Sequence, residues 1–284
     1  PYTTLFRSMQ IPFYKMQGTG NDFIIINNIE LKFPYETLVK LAKQICQRKI
    51  SVGSDALMVV DTPQKGGDFR MIFFNADGTE AEMCGNGARC LARYAFENQL
   101  ANEEMQIETV AGMVYAKRLD QRNYQVQLND PANIQEALMF NDFLVDYVEL
   151  GDPGIPHLIV PYENLSITPL ASIQALAKSL RYWDYLPKGA NVNFYEVLEN
   201  QEVVVRTFER GVEDFTLACG TGSGSTAYIL AQKGLVQPEE VTIHVLGGTL
   251  KVKVTPDGLF LIGDTNIITK GEIMDEDIEQ NVMN

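Results

Sequence analysis

The feature that most constrains this chain is that it is written twice. Cys84-Gly-Asn-Gly87 and Cys219-Gly-Thr-Gly222 lie 135 residues apart (219 − 84), close to half of the 284 residues. Further landmarks hold nearly the same spacing. Gly20-Asn-Asp-Phe-Ile-Ile-Ile and Gly154-Ile-Pro-His-Leu-Ile-Val are both glycine turns feeding an apolar strand. Leu38, Leu41, Ala42 and Ile45 answer Ile173, Leu176, Ala177 and Leu180 at helical spacing. Gly53-Ser-Asp-Ala-Leu-Met-Val-Val answers Gly189-Ala-Asn-Val-Asn-Phe-Tyr-Glu-Val, and strand-like runs resume around Gly112 and Gly248. Landmarks that keep one offset along a whole chain mark an internal duplication. Many short β runs around one long apolar helix per half predict an α+β fold of two pseudo-symmetric lobes, each a curved sheet wrapped around a central helix. Asn129-Asp-Pro-Ala-Asn133, rich in turn formers, is the predicted crossing point between the halves.

Each cysteine precedes a predicted helix. Ala88, Leu91, Ala92, Ala95 and Phe96 form one apolar stripe, and Ser223, Ala227, Leu230 and Ala231 the other. The first N–H groups of a helix lack intrahelical partners, and the dipole there favours negative charge, which promotes thiolate formation. A buried free cysteine is usually a small hydrophobe. Two at one repeat position, each followed by a Gly-x-Gly turn, point to paired chemistry instead. Inverting a carbon stereocentre needs one acid/base group on each face, one charged and one protonated. Cys84 and Cys219 supply that pair. Backbone N–H groups at Gly85, Asn86, Gly220 and Thr221 are suited to hold a substrate carboxylate and its enediolate.

Composition narrows the field. A formal charge of −14 argues against nucleic acid or an anionic membrane as partner. No apolar run approaches the ~20 residues of a membrane span. Residues 1–8 lack the parts of a secretory signal and read as an extension ahead of Met9. Four cysteines without a CxxC pair fit a reducing compartment, so the expected location is the cytoplasm. No P-loop, dinucleotide fingerprint or pyridoxal-phosphate lysine pocket is evident, and neither a cofactor nor a metal is expected.

At the level of motifs the chain resembles the diaminopimelate epimerase family from about Phe13 to Gly271. The markers are Gly18-Thr-Gly-Asn-Asp-Phe23, Phe74-Asn-Ala-Asp-Gly78, Cys84-Gly-Asn-Gly-Ala-Arg89, Pro156-His157, Asn191, Glu209-Arg-Gly211 and Ala218-Cys-Gly-Thr-Gly222. The resemblance implies β-barrel-like lobes with the last strand returning to the first, so residues 9–129 plus 264–284 would carry Cys84 and residues 130–263 Cys219. It implies cofactor-independent interconversion of LL- and meso-2,6-diaminopimelate in lysine and peptidoglycan precursor synthesis, and a homodimer. Asn21, Asn75, Asn191, Glu209 and Arg210 would bind the substrate, chiefly at the end not being inverted. His157 would support a cysteine. A proline-racemase-like enzyme or a non-catalytic amino-acid-binding relative on the same scaffold are the alternatives.

Other residues read as structural: Cys90 and Cys46 as core, His244 as a strand residue, Asp55 as a turn residue, and the acidic stretch Glu272–Glu279 as solvated surface. Relative to the family pattern, Ile155 replaces a common Asn, Ala56 a Gln, Phe215 an acidic residue and Ser223 a small apolar one. Oxidation is expected to join Cys84 to Cys219.

Overall fold

The computed structural model describes residues 10–274. Residues 1–8 and most of the Glu272–Glu279 stretch lie outside that range or at its edge. The chain divides into two compact units. One takes the residues up to Tyr124 together with those from Thr265, and the other is Gln125–Asp264.

The first unit begins with β1 (Ile11–Gly18), β2 (Asn21–Asn27), the short α1 (Asn28–Leu31), α2 (Tyr35–Ile45), β3 (Ala56–Asp61) and β4 (Phe69–Asn75). It continues with β5 (Glu80–Ala81), α3 (Gly85–Glu97), β6 (Glu104–Thr109), β7 (Gly112–Arg118) and the start of β8 (Asn123–Leu128). The second unit runs β9 (Pro131–Phe140), β10 (Phe143–Gly151), β11 (Gly154–Pro161), α4 (Leu170–Arg181), β12 (Asn191–Val197) and β13 (Val203–Glu209). It then runs β14 (Asp214–Phe215), α5 (Gly220–Gln232), β15 (Val241–Val245), β16 (Gly248–Thr255) and β17 (Gly258–Asp264), before β18 (Asn266–Ile273) rejoins the first. Of the turn-rich stretch at Asn129–Asn133, the first two residues precede β9 and the last three open it, where Pro131 faces Leu150.

The duplication is topological as well as sequential. In the first unit β2 lies parallel to β3 across α2, β3 antiparallel to β4, and β4 parallel to β6 across α3. In the second, β11 lies parallel to β12 across α4, β12 antiparallel to β13, and β13 parallel to β15 across α5. The strands of each unit are covered by helix on two faces. Leu38, Leu41, Ala42 and Ile45 of α2 pack on Ile24, Ile26, Leu57, Val59 and Phe74. Ile173, Ala177 and Leu180 of α4 pack on Leu158, Val160, Val192, Phe194 and Phe208. Such strands are buried on both sides, which is why they read as continuous apolar runs.

The second face of the strands wraps α3 in the first unit and α5 in the second. The sequence suggests a stripe on α3, but the helix is buried on every side from Gly85 to Ala95, including Arg89 and Arg93. Buried guanidinium groups call for hydrogen-bond partners. Arg89 donates to Thr19 Oγ1 at 2.9 Å and Arg93 to Glu97 at 2.8 Å and to the Thr265 carbonyl at 2.8 Å. α5 solves the same enclosure with Gly, Ser and Thr rather than arginine. A Cβ at Gly224 would come 2.5 Å from Leu128. Among the described residues no helix is long and apolar enough to cross a membrane.

Candidate active site

In each unit the candidate residues collect where three neighbouring strands end beside a helix start. In the first unit these ends are the beginnings of β2 and β3 and the close of β4. Phe23 pairs with Ala56, and Ala56 with Asn75, so Asn21 and Asn75 share one edge. In the second unit His157 pairs with Asn191, and Val192 with Phe208, which brings Asn191 and Glu209 to the equivalent edge. Cys84 and Cys219 are the N-cap residues of α3 and α5, both extended, with φ/ψ of −136°/115° and −115°/112°. Their carbonyls accept from Ala88 and Ser223 at 2.8 and 2.9 Å and so close the first helical turns. The next three N–H groups on each helix precede the intrahelical ladder.

Around Cys84 the side chains form a chain of hydrogen bonds. Asn86 donates to Asn21 Oδ1 at 2.6 Å, and Asn21 donates to Asp55 at 3.3 Å. Arg48 clamps Asp22 and Asp55 together, at 2.5 and 2.8 Å. Burial pushes the Asp22 carboxyl up, but hydrogen bonds from Arg48 and Lys15 outweigh it and hold the group below its ordinary value. Asp55 is therefore more than a turn residue, because it orients Asn21. Asn75 is exposed and turns its amide onto Thr79 Oγ1 at 3.0 Å. Cys84 itself is half-buried.

Around Cys219 the network is deeper. The Gly222 N–H donates to Cys219 Sγ at 3.3 Å, and Thr221 Oγ1 lies 3.5 Å from the same sulfur. Asn191 accepts from the Arg210 N–H at 2.8 Å and donates to the Pro156 carbonyl at 3.3 Å. Arg210 is half-buried as a residue, and its guanidinium donates to the Lys188 carbonyl at 3.3 Å. Glu209 ends β13, half-buried, opposite Asp214. His157 is wholly buried, and desolvation, helped by the Arg210 charge, pulls its pKa down to about 3, so the imidazole is neutral.

The residues set aside as structural are accounted for. Cys90 and Cys46 are buried, and burial pushes the Cys46 thiol up to about 11. His244 pairs with Glu202 at 2.6 Å in a strand. Phe215 stacks edge-on against Phe208, a core role where the family pattern has an acid. Three residues escaped the sequence reading: Arg48, Asn193 and Thr207. The signal for Asn193 was present, since an Asn two positions from Asn191 on one strand shares its face.

The fold and its doubled helix starts define a class. The structure overlays a probable proline racemase from Agrobacterium radiobacter with a TM-score of 0.67, at 13% identity and 92% coverage of both chains. A phenazine biosynthesis protein of the PhzF family from Bacillus anthracis gives 0.68, at 18% identity, covering 93% of this chain and 99% of that one. At such identities the shared property is the duplicated fold. Within that class, the diaminopimelate epimerase family model matches residues 13–133 and 151–268. A diaminopimelate epimerase from a Hydrogenobaculum species is 37% identical over 274 residues, covering 90% of this chain and 96% of that protein. The one from Archaeoglobus fulgidus is 35% identical over 276 residues, covering 93% and 96%. The chain belongs to the diaminopimelate epimerase family.

Proposed function

We propose that this chain interconverts LL- and meso-2,6-diaminopimelate without a cofactor, with Cys84 and Cys219 as the two acid/base residues. The observation that carries the reading is the repeated cysteine at an extended N-cap, one per unit, each beside strand ends bearing amide or charged side chains. In the proposed reaction one cysteine, as thiolate, takes the α-proton: the Cα–H bond breaks and an S–H bond forms. The other, as thiol, delivers its proton to the opposite face, re-forming Cα–H and leaving a thiolate. Reversal exchanges the roles, and no electron leaves the system.

The enediolate between the two steps carries charge on the substrate carboxylate. Backbone N–H groups of Gly85, Asn86, Gly220 and Thr221 are assigned to it, because pre-aimed helix-start donors stabilise developing negative charge without reorganising. Arg210 is assigned to the distal carboxylate, and Asn21, Asn75, Asn191 and Glu209 to the distal ammonium and remaining polar atoms. Arg210 is suited to bidentate carboxylate binding. A site built for two distal charged groups rejects an amino acid lacking them by roughly 10⁴-fold, since its polar atoms would be left unpaired.

The test is a substrate panel read by chiral chromatography. LL-diaminopimelate should turn over, while L-proline and L-lysine should not. Preference for a monoamino acid would favour the proline-racemase-like alternative, and binding without turnover the non-catalytic one. The reading extends to a cytoplasmic homodimer, for which light scattering should give about twice the 31.8 kDa chain mass.

A further inference from the structure

The two units are copies in backbone, but the layer of side chains beneath their cysteine helices differs in kind. Strand pairing places Phe23, Met58 and Phe73 of the first unit at the positions held by His157, Asn193 and Thr207 in the second. The same correspondence appears at the glycines that close the Cys-Gly-x-Gly turns. A Cβ on Gly87 would meet Met58 Cε at 1.8 Å and Phe23 at 3.4 Å, whereas one on Gly222 would meet Asn193 Oδ1 at 2.2 Å and Cys219 Sγ at 3.2 Å. One floor is entirely apolar and the other entirely polar. All six residues are buried.

The polar floor has a determinate hydrogen-bond sense. Asn193 Nδ2 donates to the Leu158 carbonyl at 3.0 Å and reaches the Asn191 carbonyl at 3.4 Å. Asn193 Oδ1 accepts from Thr207 Oγ1 at 2.9 Å. A flipped amide would set oxygen against two carbonyls, so the orientation is fixed by chemistry. The same Nδ2 lies 3.2 Å from His157 Nδ1, which must then be an acceptor. The imidazole proton is therefore on Nε2, and that buried donor meets no acceptor among the described residues.

We infer that Asn193 is a positioning residue that holds His157 as the Nε2–H tautomer and seats Gly222, so that the two cysteines stand on unlike floors and differ in reactivity. The second half follows from contact. Asn193 Oδ1 packs on Gly222, and the Gly222 N–H is the donor that holds Cys219 Sγ. Nothing equivalent is available from Met58. The roles of Cys219 and His157 in turnover rest on the proposed function, but the tautomer and the thiol reactivities are measured without substrate.

The experiment uses the full chain labelled with ¹⁵N at histidine, of which there are two. Long-range ¹H–¹⁵N correlation spectra of the wild type and of His244→Gln identify the His157 signals. The expected result is a bare Nδ1 and a protonated Nε2 that do not move between about pH 6 and 9. A protonated Nδ1, or an imidazolium, would overturn the inference with no substitution at the site. The second arm measures iodoacetamide labelling of Cys84 and Cys219 by peptide mass spectrometry. Asn193→Leu keeps the volume but can neither donate to Nδ1 nor accept from Thr207. It should release the fixed tautomer and slow Cys219 by about tenfold, leaving Cys84 within about twofold. If that variant does not fold, Thr207→Val removes only the hydroxyl that steadies Asn193 and should lower the Cys219-to-Cys84 ratio by about threefold. An unchanged ratio in folded Asn193→Leu, or in Thr207→Val where Asn193→Leu does not fold, would overturn the positioning role. A failed epimerase assay alone would leave both results standing.

Discussion

Replacing His157 by phenylalanine, the residue its repeat partner Phe23 already is, should change how stability depends on pH. The folded imidazole titrates near 3, against an ordinary value of 6.5, chiefly because burial disfavours its charged form and secondarily because Arg210 repels it. Between those pH values the unfolded chain binds a proton that the folded chain refuses, so stability falls as pH falls and is fully present above about 6.5. At pH 5 the unfolded imidazole is about 97% protonated and the folded one almost neutral, which costs the wild type about 2 kcal/mol relative to pH 8. That figure hardly depends on the folded pKa so long as it lies below about 4. The assay is urea unfolding of wild type and His157→Phe at pH 5 and pH 8. All other titrating groups cancel in the difference between the two proteins. The wild type should lose about 2 kcal/mol more than the variant on acidification. Parallel losses would refute the buried neutral histidine.

Three further outcomes follow from the geometry. Gly222→Ala should cost more stability than Gly87→Ala, by about 1–2 kcal/mol in urea unfolding. The Asn193 amide is tethered by its hydrogen bonds, while the Met58 thioether end can swing aside. Arg48→Met releases the Asp22–Asp55 clamp that orients Asn21, and should lower kcat/KM for LL-diaminopimelate by about tenfold while leaving the fold intact by circular dichroism. An unchanged kcat/KM would separate Asn21 from substrate binding. Mild oxidant should inactivate the enzyme reversibly, with a Cys84–Cys219 cross-linked peptide by mass spectrometry. Irreversible loss without that peptide would count against the proposed pairing.

Much of the architecture was legible because the duplication repeats one physical pattern. The same helical spacing at Leu38 and Ile173 yields α2 and α4, and the same Cys-Gly-x-Gly turn opens α3 and α5. What repetition cannot convey is where the copies diverge. His157, Asn193 and Thr207 sit in strands that read as apolar and alternate with Leu158, Val192 and Phe208, so only the pairing register shows that they meet. Arg48 was hidden for another reason. It follows α2 in sequence but acts on Asp22 and Asp55, contacts set by the β2–β3 crossover and carrying no local signature. The burial of α3 from Gly85 to Ala95 also exceeded its stripe, because the sheet closes over faces that Arg89 and Arg93 make look solvated.

The central claim is that two thiols, one from each half, move the α-proton. Proton NMR of LL-diaminopimelate in D₂O, with reduced enzyme beside Cys84→Ala and Cys219→Ala, tests it most directly. The account expects the wild type to lose the α-proton signal as meso product forms, and each variant to lose epimerisation by at least ~10³-fold. Epimerisation at near-wild-type rate in either variant would contradict it.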